Sequence, residues 1–161
     1  MTFNNEQRRR KVSEPRERRY VAEYVYTYYP NAIKMFNVRL GDVPEQFKYS
    51  ALAIENVNMY KVFRRFVDAL VITEDEAILI EAKMIAKAEN LAQLELYARL
   101  LTETKELQQL IMNKKIRKKL VAVVVDRVLV REAERYNVEV EVYRPSWAVE
   151  YAERLLKGRI S

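Results

Sequence analysis

Residues 120–125 read Leu-Val-Ala-Val-Val-Val, the longest unbroken apolar run in the chain. A strand with one wet face alternates apolar and polar side chains, so an uninterrupted run predicts a strand covered on both faces. Layers packed on both sides of a sheet provide that cover. The run is far shorter than the ~20 apolar residues needed to cross a bilayer, which makes it a core strand and predicts no membrane partner.

The remaining elements are arranged around this strand. Ser13, Glu14 and Pro15 signal a helix start, and Pro30 requires its end by Tyr29. Within it Tyr20, Val21, Tyr24, Val25 and Tyr28 recur at helical spacing. A step of about 100° per residue puts Glu17 in the middle of that apolar face and Glu23 outside it. Residues 31–40, closed by Gly41, alternate as a strand; 42–59 read as loop with one short helix at most. Strands over 60–72 and 77–83 flank the acidic turn Thr73-Glu74-Asp75 and form an antiparallel hairpin. A long amphipathic helix over 88–112 follows. After the strand at 120–125 come a helix over 127–136, a strand over 138–143 and a helix over 147–157 closed by Gly158. The expected fold class is α/β, a mixed sheet flanked by helices, as a single domain over 13–161 preceded by a basic, flexible arm over 1–12.

Composition narrows the chemistry. The chain has no histidine, no cysteine and two glycines, Gly41 and Gly158. Zinc fingers, disulfides, thiol nucleophiles, imidazole bases and glycine-rich phosphate loops are all excluded. Catalysis is left to carboxylates, Lys, Tyr or Ser, and a metal would take oxygen ligands, which favours Mg2+ or Mn2+. The 29 basic and 23 acidic residues leave a charge of +6, which suits a polyanionic partner. With no apolar signal region behind the N-terminal arginines, the sequence reads as a soluble, intracellular, cytoplasmic protein.

The hairpin gathers the polar residues that interrupt buried strands. Glu81 and Lys83 share one face of their strand while Ile80 and Ala82 take the other. Asp68 lies on the partner strand, near Glu81. Two carboxylates ~4 Å apart repel by ~4 kcal/mol at an effective dielectric of 20, and a divalent cation reverses that sign. Asp68, Glu81 and the Ala82 carbonyl are hard oxygen ligands for such an ion, and Lys83 stands ready to orient a water or neutralise an oxyanion.

Asp68, twelve intervening residues and Glu81-Ala82-Lys83 in a strand-turn-strand setting resemble the PD-(D/E)xK nuclease superfamily, with Val67 in place of the eponymous proline. Gln93-Leu94-Glu95-Leu96-Tyr97 is similar to the QxxxY motif of its RecB-like, Holliday-junction-resolvase-like members, and i, i+4 spacing sets Gln93 beside Tyr97. Glu17 stands where many members carry a helix-borne acid. The resemblance covers residues 14–125. It implies a restriction-endonuclease-like αβββαβ core, here extended by αβα, and a metal-dependent nuclease acting on DNA in phage biology or DNA repair. Asp68, Glu81, Lys83, Glu17, Gln93 and Tyr97 would form its site, with Glu23 the alternative helix acid.

Arg64 and Arg65 beside Asp68, and the acid-free cluster Lys114, Lys115, Arg117, Lys118 and Lys119, are candidate nucleic-acid contacts, or else a tether and a solvated helix end. The competing reading is a catalytically inactive nuclease-fold protein that binds nucleic acid or assists assembly. RNA as substrate and a homodimer both stay open.

Overall fold

The structure, a computed structural model, describes residues 15–41 and 65–160, the last two by backbone alone. The arm over 1–12, the loop expected over 42–59 and Arg64 lie outside the described residues. The elements are α1 (Pro15–Tyr28), β1 (Ile33–Leu40), β2 (Arg65–Ile72), β3 (Glu76–Ile85), α2 (Ala88–Glu103), a 3-10 turn (Lys105–Leu107), α3 (Gln108–Ile111), β4 (Lys115–Val124), α4 (Arg127–Arg135), β5 (Val138–Val142) and α5 (Ser146–Ile160). The five strands lie side by side in chain order. The β1–β2 and β2–β3 pairs are antiparallel, whereas β3–β4 and β4–β5 are parallel. This is the mixed, helix-flanked α/β sheet that the order of helices and strands predicts.

Strand alternation sorts the apolar side chains into two cores. Ala77, Leu79, Leu120 and Ala122 pack on one face with Leu91, Leu94, Tyr97 and Leu101 of α2 and Leu129 of α4. Ile78, Ile80, Ala82, Val121 and Val123 pack on the other with Tyr20, Tyr24 and Val25 of α1 and Ala148 and Ala152 of α5. Both faces of β3 and β4 are therefore dry, which is why those strands read as aliphatic runs.

Local chemistry sets the element ends. The hairpin turn closes through Thr73 N donating to Glu76 O at 2.9 Å and Glu76 N donating to the Thr73 hydroxyl at 3.1 Å. The Asp126 carboxylate accepts Leu129 N at 2.7 Å and caps α4.

Three boundaries differ from expectation. The helix expected over 88–112 stops at Glu103 because Thr104 turns extended. Its hydroxyl donates to Leu100 O at 2.7 Å and accepts Gly41 N at 2.9 Å, and the Gln108 amide caps the carbonyls of Leu101, Thr102 and Thr104. α5 continues through Gly158, which therefore does not close it. β4 begins at Lys115, so the basic cluster belongs to the strand and not to a helix end.

Candidate functional site

The β2–β3 ladder runs from Ile72–Ala77 to Ala69–Ile80 and stops. The next pair in register would be Asp68 with Glu81, and here side chains replace the backbone ladder. Asp68 N donates to Glu81 Oε1 at 3.2 Å, and Ala82 N donates to Asp68 Oδ2 at 2.9 Å. Beyond this point β2 stays paired with β1, while β3 stays paired with β4 through Ile85–Val124. The sheet thus forks, and the two carboxylates sit in the crotch. On the other side of Asp68 the β1–β2 ladder also lacks one pair, at Asn37, whose φ of 51° is left-handed.

Glu81 is 2% exposed. Burial pushes its carboxyl well above the ordinary carboxylate range and the Asp68 charge pushes it further, while Lys83 and the Asp68 N–H pull it back. Asp68 is likewise raised by burial, against the Ala82 N–H and Lys83. Each carboxylate spends one oxygen on a backbone N–H, and its other oxygen has no hydrogen bond among the described residues. Buried carboxylate oxygens left in that state are costly and therefore informative.

Lys83 approaches from the same strand face as Glu81, and its Nζ lies 3.6 Å from Glu17 Oε2 of α1. Burial lowers its pKa, but Glu17, Asp68 and Glu81 together outweigh burial and raise it, so the ammonium is held protonated. Glu17 is where the helical wheel points it, inward beside the Val21 and Tyr24 turns, because its 100° step matches the buried face of α1. Glu23 instead accepts the Trp147 indole N–H at 2.8 Å, away from the fork.

α2 supplies the opposite wall. Gln93 Nε2 donates to the Tyr97 hydroxyl at 2.7 Å, as the i, i+4 spacing requires. Burial raises the Tyr97 pKa, and the charges of Glu81 and Asp68 raise it further, which puts this phenol within electrostatic reach of both carboxylates. Arg65 acts on the same hydroxyl with the opposite sign. A cleft of about 570 Å3 opens beside Lys83, lined also by Glu89, Asn90, Ala92, Gln93 and Leu96. The structure thus brings together Asp68, Glu81, Lys83, Glu17, Gln93, Tyr97 and Arg65.

It does not bring the basic cluster there. Across β3–β4 the cluster runs from Lys115, level with Glu76, to Lys119, level with Ile80, so partners and not distance along the sheet keep it from the fork. Lys114 Nζ donates to Thr73 O at 2.8 Å and Glu74 O at 2.7 Å, bracing the hairpin turn. Arg117 bridges Glu76 and Glu139, and Lys118 bonds Glu95 and Tyr136 O. Lys119 is 5% exposed and donates to Tyr29 OH at 2.8 Å and Glu141 at 3.1 Å. Strand alternation splits the candidate contacts of 114–119 between the sheet faces, and carboxylates engage Arg117, Lys118 and Lys119. The signal available in sequence was the alternating Glu139 and Glu141 of the neighbouring strand.

Among the described residues no group of three or more carboxylate, imidazole or thiolate side chains is placed to hold a metal ion. The donor set at the fork is two carboxylates with free oxygens plus backbone carbonyls, which suits a hard cation that keeps several waters. No helix of the described residues is long and apolar enough to cross a membrane.

No family model matches the chain, and no curated protein is similar to it in sequence. Solved structures do match the fold. A repair endonuclease from Pyrococcus abyssi superposes with a TM-score of 0.50 at 13% identity, over 83% of this chain and 48% of that one. An EndoMS–dsDNA complex superposes with a TM-score of 0.50 at 16% identity, over 83% of this chain and 47% of that one. The chain thus has a mixed α/β fold shared with endonuclease structures, and it spans about half the length of those proteins.

Proposed function

We propose that this chain is a metal-dependent nuclease that hydrolyses phosphodiester bonds in DNA. The observation that carries the reading is the fork itself: the buried Glu81 and the half-buried Asp68, each with an oxygen left over, facing an ammonium that they help hold protonated. A structural ion pair has no use for that excess of negative charge. The fold shared with a repair endonuclease and with a protein bound to double-stranded DNA supports the choice of substrate and makes duplex DNA the first one to test.

Asp68, Glu81 and the Ala82 carbonyl would hold Mg2+ or Mn2+, which when bound supplies an activated water and positive charge against a scissile phosphate. Lys83 would serve as a donor and a cation, orienting the water or stabilising the pentacovalent oxyanion. Glu17 holds the Lys83 ammonium in place. The Gln93–Tyr97 pair orders the α2 wall and presents the phenol toward the carboxylates. The cleft beside Lys83 and Gln93 leaves room for the nucleotide next to the cut.

The experiment is to incubate the purified protein with single-stranded, duplex and branched DNA, and with RNA as control, in Mg2+, Mn2+ or EDTA. The expected result is cleavage of DNA only with metal, and loss of at least about a hundredfold in Glu81→Ala and Lys83→Ala. No cleavage of any substrate, or variants as active as the parent, overturns the assignment.

A further inference from the structure

Among the described residues other than glycine, three have a left-handed backbone. Asn113 and Asn137 follow the last turns of α3 and α4, where that conformation commonly ends a helix. Asn37, with φ of 51°, is the one inside a strand. It stands level with Asp68, since the pairs on either side are Phe36 with Ala69 and Val38 with Val67.

Both strands change phase at that level. In β2, Leu70 and Ile72 pack in the core on the α2 side of the sheet, and Ala69 and Val71 in the core on the α1 side. Strict alternation would send Val67 to the α1 side, yet it packs with Leu70 on the α2 side. In β1, Met35 packs on the α2 side, and so do Val38 and Leu40, which alternation would send the other way. Each strand therefore skips one place, β1 at Asn37 and β2 at Asp68, and the pairing resumes in the same register. No residue is inserted, so this is not an ordinary bulge.

A skipped residue belongs to neither face. The Asp68 carboxylate accordingly lies in the gap between β2 and β3, where its Oδ2 accepts Ala82 N at 2.9 Å, because a strand N–H points along the sheet and not out of it. In unbroken alternation Asp68 would stand on the α2 face with Leu70 and Ile72, out of line with that N–H.

We infer that Asn37 is a positioning residue for Asp68: its left-handed backbone makes β1 and β2 slip phase together, and the slip turns the Asp68 carboxylate from the sheet face into the fork beside Glu81. The backbone of Asn37 does this and not its side chain, which is exposed and makes no hydrogen bond among the described residues. Asn accepts this conformation more readily than most residues, whereas for a β-branched residue it is strained. The inference concerns the shape of the fork and rests on the proposed nuclease reading only for its use, which is to aim Asp68 and Glu81 at one metal ion.

The test begins with amide hydrogen exchange of the full chain, labelled with 15N and kept in EDTA, so that neither metal nor cleavage plays a part. In Asn37→Val the Ala82 amide exchanges at least about tenfold faster than in the parent while the β4 amides keep their rates, because only the bond to Asp68 is lost. Asn37→Gly, which accepts the same φ, keeps the parent rate at Ala82. Asn37→Ala, a smaller change at an exposed position, carries the same expectation as Asn37→Val should that variant fold poorly. With Mn2+, the Val variant loses about tenfold in metal affinity by titration calorimetry and about a hundredfold in cleavage, and the Gly variant loses neither. If Ala82 stays as protected in the Val and Ala variants as in the parent, or if the Gly variant loses that protection too, the inference fails. The expected exchange pattern in a parent that cuts nothing sustains the positioning role and overturns the nuclease reading; a Val variant that cuts as well as an active parent does the converse.

Discussion

Glu81 and Lys119 are both buried ionisable residues on adjacent strands, yet their surroundings oppose each other. Around Lys119 every charge meets its match. Its ammonium contacts Glu141 and two phenols, and Tyr24 donates to the same Glu141 carboxylate. Although burial opposes ionisation, Arg117 and Lys119 hold Glu139 below the ordinary carboxylate range. Lys119 itself is held above its ordinary value by Tyr29 and Glu141 despite burial. Around Glu81 three carboxylates face one ammonium, and Asp68 and Glu81 are both pushed up. One cluster is a completed structural network; the other carries an excess of negative charge that raises the pKa of both carboxyls.

The sharpest way to break this comparison is to delete one charge from each place. Lys119→Ala leaves Glu141 and two phenols without their partner. It is expected to destabilise the fold by roughly 2–4 kcal/mol, discounted from a fully dry pair because Glu141 is 32% exposed, as read by urea unfolding. Glu81→Gln has the opposite sign: in EDTA near neutral pH it raises the melting temperature by a few degrees, because it removes a carboxyl whose charged form burial and Asp68 both disfavour. If both variants destabilise alike, the two clusters are of one kind.

The Glu81 effect also depends on pH. Its carboxyl is raised in the folded protein above the ordinary 4.5, so its contribution to stability is fully present below pH 4.5 and is lost as pH rises through the folded value. The gain from Glu81→Gln is therefore absent near pH 4 and grows toward neutral pH, in melting curves recorded without metal. A gain that stays flat with pH would mean that the substitution acts through packing.

Tyr97→Phe is the smallest expected change. It removes the acceptor of the Gln93 amide and the phenol facing the carboxylates, but little volume. Cleavage should fall about tenfold, while stability shifts by less than ~1 kcal/mol. Equal losses in both would reduce the pair to a helix-packing device.

Much of the fork could be read in the chain. The hairpin follows from two apolar runs around Thr73-Glu74-Asp75, the inward Glu17 from helical phase, and the Gln93–Tyr97 contact from i, i+4 spacing. Each rests on a periodicity that a short window contains. The basic stretch was misleading for the same reason. Five cations in six residues read locally as a solvated cluster, but Lys119 is buried by Tyr24 and Tyr29, which lie 95 and 90 positions away, and by Glu141 of the next strand. The stop of α2 at Thr104 likewise depends on Gly41, 63 positions earlier.

Residue order alone determined the types of side chain available for chemistry, the faces they occupy and the layered α/β sheet, because alternation and helical phase are local geometry. Tertiary structure alone decided which charges are answered and which are not. The ladder gives way at Asp68 and Glu81 and leaves each an oxygen without a hydrogen bond among the described residues, Arg117, Lys118 and Lys119 of β4 are engaged by carboxylates, and Arg19 is fixed on an indole 128 positions away. Electrostatic energy follows distance through space and loss of water, and neither is written in the spacing along a chain.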